Sequence, residues 1–140
     1  MMANVDELHG EAHVQRYLET NGEEGFHWKG TEILILFTKG RKSGDQRRHA
    51  LIFRTWEDNA YLVVASKGGA DAPPAWFLNL QDNPEAEIQV KNERITVRAR
   101  VANDDEKPAM WSRMVEVWPD YDDYQTKTSR PIPVVVLERV

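Results

Sequence analysis

The chain has 140 residues and a mass of 16.2 kDa, the size of one domain with a single hydrophobic core. Its composition is 41% hydrophobic and 29% charged with only 8 Gly and 7 Pro, which excludes a disordered or fibrous chain. The net charge of −5 argues against a general nucleic-acid binder, so no nucleic-acid partner is expected.

The lack of cysteine and the pattern of hydropathy exclude several further kinds of site and segment. The absence of cysteine excludes a disulfide scaffold, a cysteine-ligated metal and thiol catalysis, and the four histidines lack the clustering of a zinc site. No metal is expected. The longest apolar run, from Ile33 to Phe37, is too short to span a bilayer, and the acidic start from Asn4 lacks a secretory signal pattern. We therefore expect no integral membrane segment and a cytoplasmic location.

The predicted elements begin with a helix and continue as strands. The acidic first 25 residues predict a weak helix that ends near Asn21-Gly22. Strand-forming composition then predicts three strands, over 32–38, 48–55 and 60–66, the third of them apolar on both faces.

The second half of the chain inserts helices between further strands. Asp71-Ala-Pro-Pro74 is a helix-start signal, and a short helix is expected over 74–82. A hairpin follows with strands over 87–90 and 95–101, the second alternating apolar residues, including Val101, with outward arginines. The last predicted elements are a helix over 104–118 with acidic residues in its first turn, a short helix after Pro119, and a buried strand over 133–137.

Six mostly antiparallel strands with helices inserted between them predict an α+β fold, a barrel or curled sheet. A doubly wound dinucleotide fold is excluded because no G-x-G-x-x-G follows the first strand. The segment Gly40–Gly44 joins two strands and does not open a helix, so it is not a nucleoside-triphosphate loop.

Positive charge is concentrated in one hairpin. Residues 39–54 carry a formal charge of +5, so the rest of the chain carries −10. The loop Gly40–Gly44 and the arginines after it supply cations, a hydroxyl and glycine backbone that suit phosphate. A small anion is the favoured ligand, although a solvated basic hairpin without a ligand explains the same spacing equally well.

Other candidate site residues lie after the third strand and in the last helix. Ser66-Lys67-Gly68-Gly69 ends a strand just before a helix N-terminus, which favours an anion or a polar ring but also fits a flexible bend. Trp76 is read as core in preference to ligand contact, and His49 as structural. Tyr121 and Tyr124 lie in a short acidic segment where pure core residues are not expected, which favours a functional role.

Four motifs, in order, resemble the deazaflavin-dependent nitroreductase family. They are Lys39–Arg48, Val63–Gly69, Ala75–Pro84 and Tyr121–Pro133 with the following Val134-Val-Val-Leu-Glu138, and the resemblance runs from about residue 25 to the C-terminus. It implies a split β-barrel of the flavin-reductase-like superfamily over residues 1–140, a single deazaflavin-binding domain with a short N-terminal helix. It also implies binding of coenzyme F420, an 8-hydroxy-5-deazaflavin with a phosphorylated, polyglutamylated tail.

The resemblance also assigns roles to residues. It implies that a small-molecule electron acceptor, such as a quinone, a nitroaromatic or an activated enone, receives a hydride from the reduced cofactor. The catalytic candidates are Ser66, Tyr121 and Tyr124. The implied cofactor-binding residues are Arg41, Lys42, Ser43, Gly44, Arg47, Ser66, Lys67, Gly68, Ala75 and Trp76.

The sequence departs from the family pattern at three places. Trp118 stands where members often have a tyrosine, Ile52 where an aromatic is common, and Asp45-Gln46 replaces the usual proline after Gly44. Substrate identity is therefore left open. The sequence also allows two alternative functions, an FMN-binding reductase of the same fold and a non-catalytic F420 carrier. It leaves the oligomeric state open and allows a homodimer in which Arg98 and Arg100 face a partner.

Overall fold

The computed structural model describes residues 5–140; residues 1–4, the start of the predicted domain and of its acidic N-terminus, lie outside the described residues. The described residues form four α-helices, α1 (Gly10–Thr20), α2 (Ala75–Asp82), α3 (Lys107–Val117) and α4 (Asp120–Thr126), with 3₁₀ turns at Val5–Glu7 and Lys67–Gly69. Seven strands accompany them in the same part of the chain: β1 (His27–Trp28), β2 (Thr31–Lys39), β3 (Gln46–Trp56), β4 (Ala60–Val64), β5 (Glu85–Val90), β6 (Glu93–Val101) and β7 (Val134–Arg139).

Six of these strands close into an antiparallel barrel. The order is β2-β3-β4-β7-β6-β5, and β5 returns to pair with β2, where Leu36 lies opposite Ile88. The two-residue strand β1 pairs with β2 outside this ring. This architecture confirms the predicted α+β antiparallel split barrel with inserted helices.

The two-sided apolar pattern of β4 and β7 is explained by what covers each face. One face, with Val63 and Leu137, lies in the barrel core. The other face, with Leu62 and Val136, packs against Met110 and Met114 of α3. Both faces are removed from water, which is why these strands read as continuous apolar runs.

Helix α1 is fixed to the barrel by a buried tyrosine. The Tyr17 hydroxyl donates to the Ile33 carbonyl (3.0 Å) and accepts from the Lys91 backbone N–H (2.7 Å). Burial raises the pKa of Tyr17 to about 12. The helix ends at Asn21, whose left-handed φ of 51° turns the chain toward β1, as the Asn-Gly signal predicts.

Some predicted details were wrong. Helix α3 begins at Lys107 instead of residue 104, because Asn103 and Glu106 fold the preceding residues into a separate turn with hydrogen bonds to each other's backbone. Val101 was expected to face inward but is 48% exposed, at the last position of β6. The strand β1 was not predicted, since two residues give no periodic pattern.

Candidate active site

A cavity of about 560 Å³ lies among the helices and the barrel, a size typical of small-molecule sites. It is bounded by the start of α1, by β1 and β3, by the turn after β4, by the start of α2, and by the α3–α4 junction. Its lining residues are His9, Gly10, His13, Trp28, Ile33, His49, Ala50, Leu51, Ile52, Val64, Ser66, Lys67, Gly68, Pro74, Ala75, Trp76, Trp118, Tyr121 and Tyr124.

The turn after β4 has an unusual backbone. Lys67, Gly68 and Gly69 all have positive φ, at 44°, 64° and 87°. Arg130 holds this turn from the other side, donating to the carbonyls of Ser66 (3.0 Å) and Ala70 (2.8 Å). Arg130 therefore supports the strained turn that carries Ser66 and Lys67 to the cavity.

Three residues that carry hydroxyl groups line this cavity. Within residues 5–140, the hydroxyls of Ser66, Tyr121 and Tyr124 donate to no protein atom, although all three residues line the cavity. Burial raises the pKa of Tyr121 above its ordinary value, so its phenol stays protonated at neutral pH. Unpartnered donors beside an apolar lining suit a ligand that carries carbonyl oxygens.

Aromatic rings form one wall of the cavity. Trp28 and Trp118 stack with centroids 5.6 Å apart and an interplanar angle of 28°. Tyr121 and Tyr124 continue this wall edge to face, with centroids 6.1 Å apart. These rings, packed against one another, give the cavity a rigid and largely apolar wall.

Three histidines also line this cavity. His9 immediately precedes α1, His13 lies on α1 and His49 comes from β3. The His13 ring Nε2 lies 2.7 Å from the Gly25 carbonyl oxygen, whereas the buried Nδ1 of His49 has no partner among the described residues. In the described part of the chain no three such side chains meet in a way that could hold a metal ion.

The basic loop lies outside this cavity and is joined to it by α2. The Asn79 side-chain oxygen accepts the Arg41 backbone N–H (3.2 Å), and its amide donates to the Thr38 hydroxyl (3.1 Å). Ala75 and Trp76, about one turn earlier on α2, line the cavity. Helix α2 thus connects the ring-sized cavity with the loop.

The cations of the loop are exposed and available. Among residues 5–140, the ion pairs with carboxylates include none from Lys39, Arg41, Lys42 or Arg47, whereas Arg48 pairs with Glu11. Ser43 is used inside the loop, where its hydroxyl accepts from the Asp45 backbone N–H (3.1 Å) and from Arg47 (3.4 Å). Unpaired cations at the surface suit an anionic ligand.

The structure therefore divides the predicted site residues into two groups. Ser66, Lys67, Gly68, Ala75, Trp76, Tyr121 and Tyr124 come together around the cavity. Arg41, Lys42, Ser43, Gly44 and Arg47 do not line it and lie in the neighbouring loop. Trp76 is both buried core and cavity lining.

Sequence reasoning missed several residues around this cavity. Trp28, His9 and His13 were not expected there, and neither Asn79 nor Arg130 was singled out. No local pattern marked the two histidines, because His9 precedes α1 in an extended conformation and so does not share a helical face with His13. Arg98 and Arg100, for which the sequence allows a position facing a partner, form exposed ion pairs within the chain, Arg98 with Glu85 and Arg100 with Glu106 and Glu138.

Comparisons with known proteins identify the family. A family model described as F420H(2)-dependent quinone reductase matches residues 10–139. An F420H(2)-dependent quinone reductase of Mycobacterium tuberculosis (strain ATCC 25618 / H37Rv) is 40% identical over 131 residues, covering 91% of this chain and 87% of that protein.

Solved structures give the same result. One described as an F420-H2 dependent reductase (FDR-A) matches with a TM-score of 0.68 and 38% identity, over 76% of this chain and 93% of that one. Another, described as a domain-swapped dimer, has a TM-score of 0.71 and 36% identity over 89% and 93% of the two chains. The chain belongs to the F420H(2)-dependent quinone reductase family and is an F420-dependent oxidoreductase.

Proposed function

We propose that residues 1–140 form a single deazaflavin-binding domain that reduces a quinone with F420, and that the cavity holds the cofactor ring beside the acceptor. One observation carries this proposal. Three hydroxyls without an acceptor among residues 5–140, from Ser66, Tyr121 and Tyr124, belong to residues that line one cavity, and its bordering helix leads to a loop whose cations form no ion pair with a described carboxylate.

The residues present fit the cofactor. Its anionic tail needs positive charge, and Arg41, Lys42 and Arg47 offer it without having to break an ion pair with a described carboxylate. Ser43 and Gly44 belong to the same loop and would shape its backbone around the tail. Ser66, Lys67, Gly68, Ala75 and Trp76 would line the ring, because all five line the cavity.

The chain's own groups would orient the acceptor and supply hydrogen bonds. When bound, the reduced deazaflavin supplies a hydride. Ser66, Tyr121 and Tyr124 would donate hydrogen bonds to the acceptor oxygens, on which negative charge develops as the quinone is reduced. The stacked Trp28 and Trp118 would hold the acceptor ring flat and exclude water.

Assembly and location extend this proposal. Because a relative at 36% identity is described as a domain-swapped dimer, we expect this chain to form a homodimer, with twice the 16.2 kDa chain mass in sedimentation equilibrium. A mass of one chain would contradict it. No helix in the described part of the chain combines the length and apolar composition needed to cross a bilayer. The cytoplasmic location stays a prediction.

Two measurements on the wild-type protein test the proposal. Fluorescence titration should give a lower dissociation constant for F420 than for FMN, since the loop carries more positive charge than one phosphate needs. Reduced F420 should be oxidised when menadione is added. Ser66→Ala should lower kcat with little change in F420 affinity, whereas Ser112→Ala, an exposed serine on α3, should leave both unchanged. FMN binding that equals F420 binding would contradict the proposal.

A further inference from the structure

The indole of Trp118 forms a hydrogen bond with the hydroxyl group of Tyr124. We infer that Trp118 is a positioning residue that directs the Tyr124 O–H toward the acceptor. This inference rests on the proposed function.

The hydrogen bond between the two side chains has a defined direction. The Trp118 indole Nε1–H donates to the Tyr124 hydroxyl oxygen over 3.2 Å. A phenolic hydrogen prefers the plane of its ring, which leaves two orientations. Because the indole N–H occupies one side of the oxygen, the hydrogen of Tyr124 is turned to the other side. No acceptor among residues 5–140 receives it there, and Tyr124 lines the cavity.

Tryptophan allows only one direction for this hydrogen bond. An indole N–H donates and cannot accept, whereas a tyrosine hydroxyl does both. A tyrosine at position 118 could accept the hydrogen of Tyr124 and turn it away from the cavity. Trp118 removes that alternative, so the Tyr124 hydroxyl remains a donor to whatever occupies the cavity.

Trp118 is itself held in place on two sides. Its ring stacks on Trp28, whose indole N–H donates to the Leu8 carbonyl over 2.8 Å. Its backbone joins α3 to α4, with its N–H bonded to the Met114 carbonyl (3.0 Å) and its carbonyl accepting from the Tyr121 N–H (3.1 Å). An indole fixed at ring and backbone can orient the phenol that it contacts.

A double-mutant cycle tests the inference. Trp118→Phe keeps an aromatic ring for the stack and removes the N–H. With menadione and saturating reduced F420, we expect it to lower kcat roughly three- to tenfold, the effect of one ordinary hydrogen bond. In the Tyr124→Phe background the same change should have no further effect, because there is no hydroxyl to orient. F420 affinity, measured by fluorescence titration, should be unchanged in all variants.

Trp111→Phe is the matched control. Trp111 also donates its indole N–H, to Asp122 over 2.7 Å, but it does not line the cavity. This variant should keep wild-type kcat. Wild-type kcat in Trp118→Phe, or the same loss with and without the Tyr124 hydroxyl, would overturn the inference. If Tyr124→Phe itself keeps wild-type kcat, the proposed role of Tyr124 fails as well.

A readout without turnover completes the test. The indole N–H signal of Trp118 in a ¹H–¹⁵N NMR spectrum is identified as the signal lost in Trp118→Phe. In Tyr124→Phe this signal should move upfield, because the indole loses its acceptor, while the Trp111 signal stays in place. An unmoved Trp118 signal would show that the hydrogen bond does not exist in solution and would overturn the inference.

Discussion

Asn79 connects the basic loop with the helix that borders the cavity. It is 3% exposed, and its amide bonds the Arg41 backbone on one side and the Thr38 hydroxyl on the other. A buried amide is stable only when both its oxygen and its nitrogen have partners. Asn79 therefore sets the position of Arg41 relative to α2.

Asn79→Ala should weaken F420 binding although Asn79 is not proposed to touch the cofactor. The substitution leaves the Arg41 N–H and the Thr38 hydroxyl without their partner, which costs roughly 1–3 kcal/mol of the free energy of unfolding. Urea denaturation and fluorescence titration measure the two effects. Gln81→Ala, an exposed position on the same helix, is the control. If stability falls while F420 affinity is unchanged, Asn79 does not position the loop for the cofactor.

His49 is a second side chain whose behaviour is set by its surroundings in the fold, because these change its pKa. It lines the cavity from β3, and burial lowers its pKa, with Arg47 adding to the effect and Glu11 opposing it. A histidine whose pKa is lower in the folded state binds its proton more readily when unfolded. Its contribution to stability is therefore present above the unfolded pKa of about 6.5 and is lost as the pH falls below it.

His49→Gln should make stability less dependent on pH. Between pH 7.5 and pH 5.5 the melting temperature of the wild type should fall further than that of the variant, because the variant has no imidazole to protonate on unfolding. Thermal unfolding at the two pH values measures the difference. His27→Gln, at an exposed histidine, should follow the wild type. Parallel curves for wild type and His49→Gln would contradict this prediction.

The 3₁₀ turn Lys67–Gly69 and helix α4 pack unusually closely. A Cβ atom on Gly69 would lie 2.6 Å from the Tyr124 carbonyl oxygen, whereas one on Gly68 would meet nothing within 4 Å. Both glycines have positive φ, so both positions are strained for other residues. Only at Gly69 would a side chain also collide with the α4 backbone that carries Tyr124.

Gly69→Ala should therefore cost more than Gly68→Ala. We expect Gly68→Ala to lower the free energy of unfolding by roughly 1 kcal/mol through backbone strain alone. Gly69→Ala adds a clash with backbone and should cost about 2–4 kcal/mol and lower kcat by displacing Tyr124. Urea denaturation and turnover with menadione measure both variants. Equal losses in the two variants would show that the close packing does not position Tyr124.

The elements that the sequence predicts well are those with a strong local pattern. The runs over β2, β4 and β7 and the start of α2 lie close to where they were expected, because apolar runs and proline act locally. The start of α3 was misplaced because the hydrogen bonds between Asn103 and Glu106 outweigh the preference of acidic residues for a first turn.

The site residues, too, were predictable only where a local motif marked them. Motif residues such as Ser66 and Tyr124 were expected at a site, and they do line one cavity. Trp28 and Arg130 were not, because their importance depends on contacts with residues that are distant in the chain. Trp28 meets Trp118, and Arg130 bonds the carbonyls of residues 65, 66 and 70. No local pattern reports such contacts.

Over the whole molecule, charge is separated into an acidic body and a cationic hairpin. Residues 39–54 carry +5 against −10 elsewhere. Several arginines outside this segment are paired, with carboxylates such as Glu24, Glu106 and Glu138. The cations of the loop therefore form a positive patch on a molecule that otherwise repels anions, which favours a small anionic ligand over an extended polyanion.

This charge distribution predicts a specific dependence on salt. F420 affinity should fall as NaCl is raised, because the tail is held by exposed cations that salt screens. Replacing Arg41 and Lys42 together by Ala should weaken F420 binding at low salt, with a loss of binding free energy of roughly 1–3 kcal/mol per lost charge-assisted contact, and the remaining affinity should depend less on salt. Fluorescence titrations between 50 mM and 500 mM NaCl measure both effects.

Replacing Arg98 and Lys107 together by Ala is the control for this prediction. It changes the net charge by the same amount, but both residues lie outside the loop, so this variant should keep the wild-type affinity and its dependence on salt. If both double variants lose affinity alike, long-range charge and not the loop holds the tail; if neither loses affinity, the basic hairpin is solvated and binds no part of the cofactor.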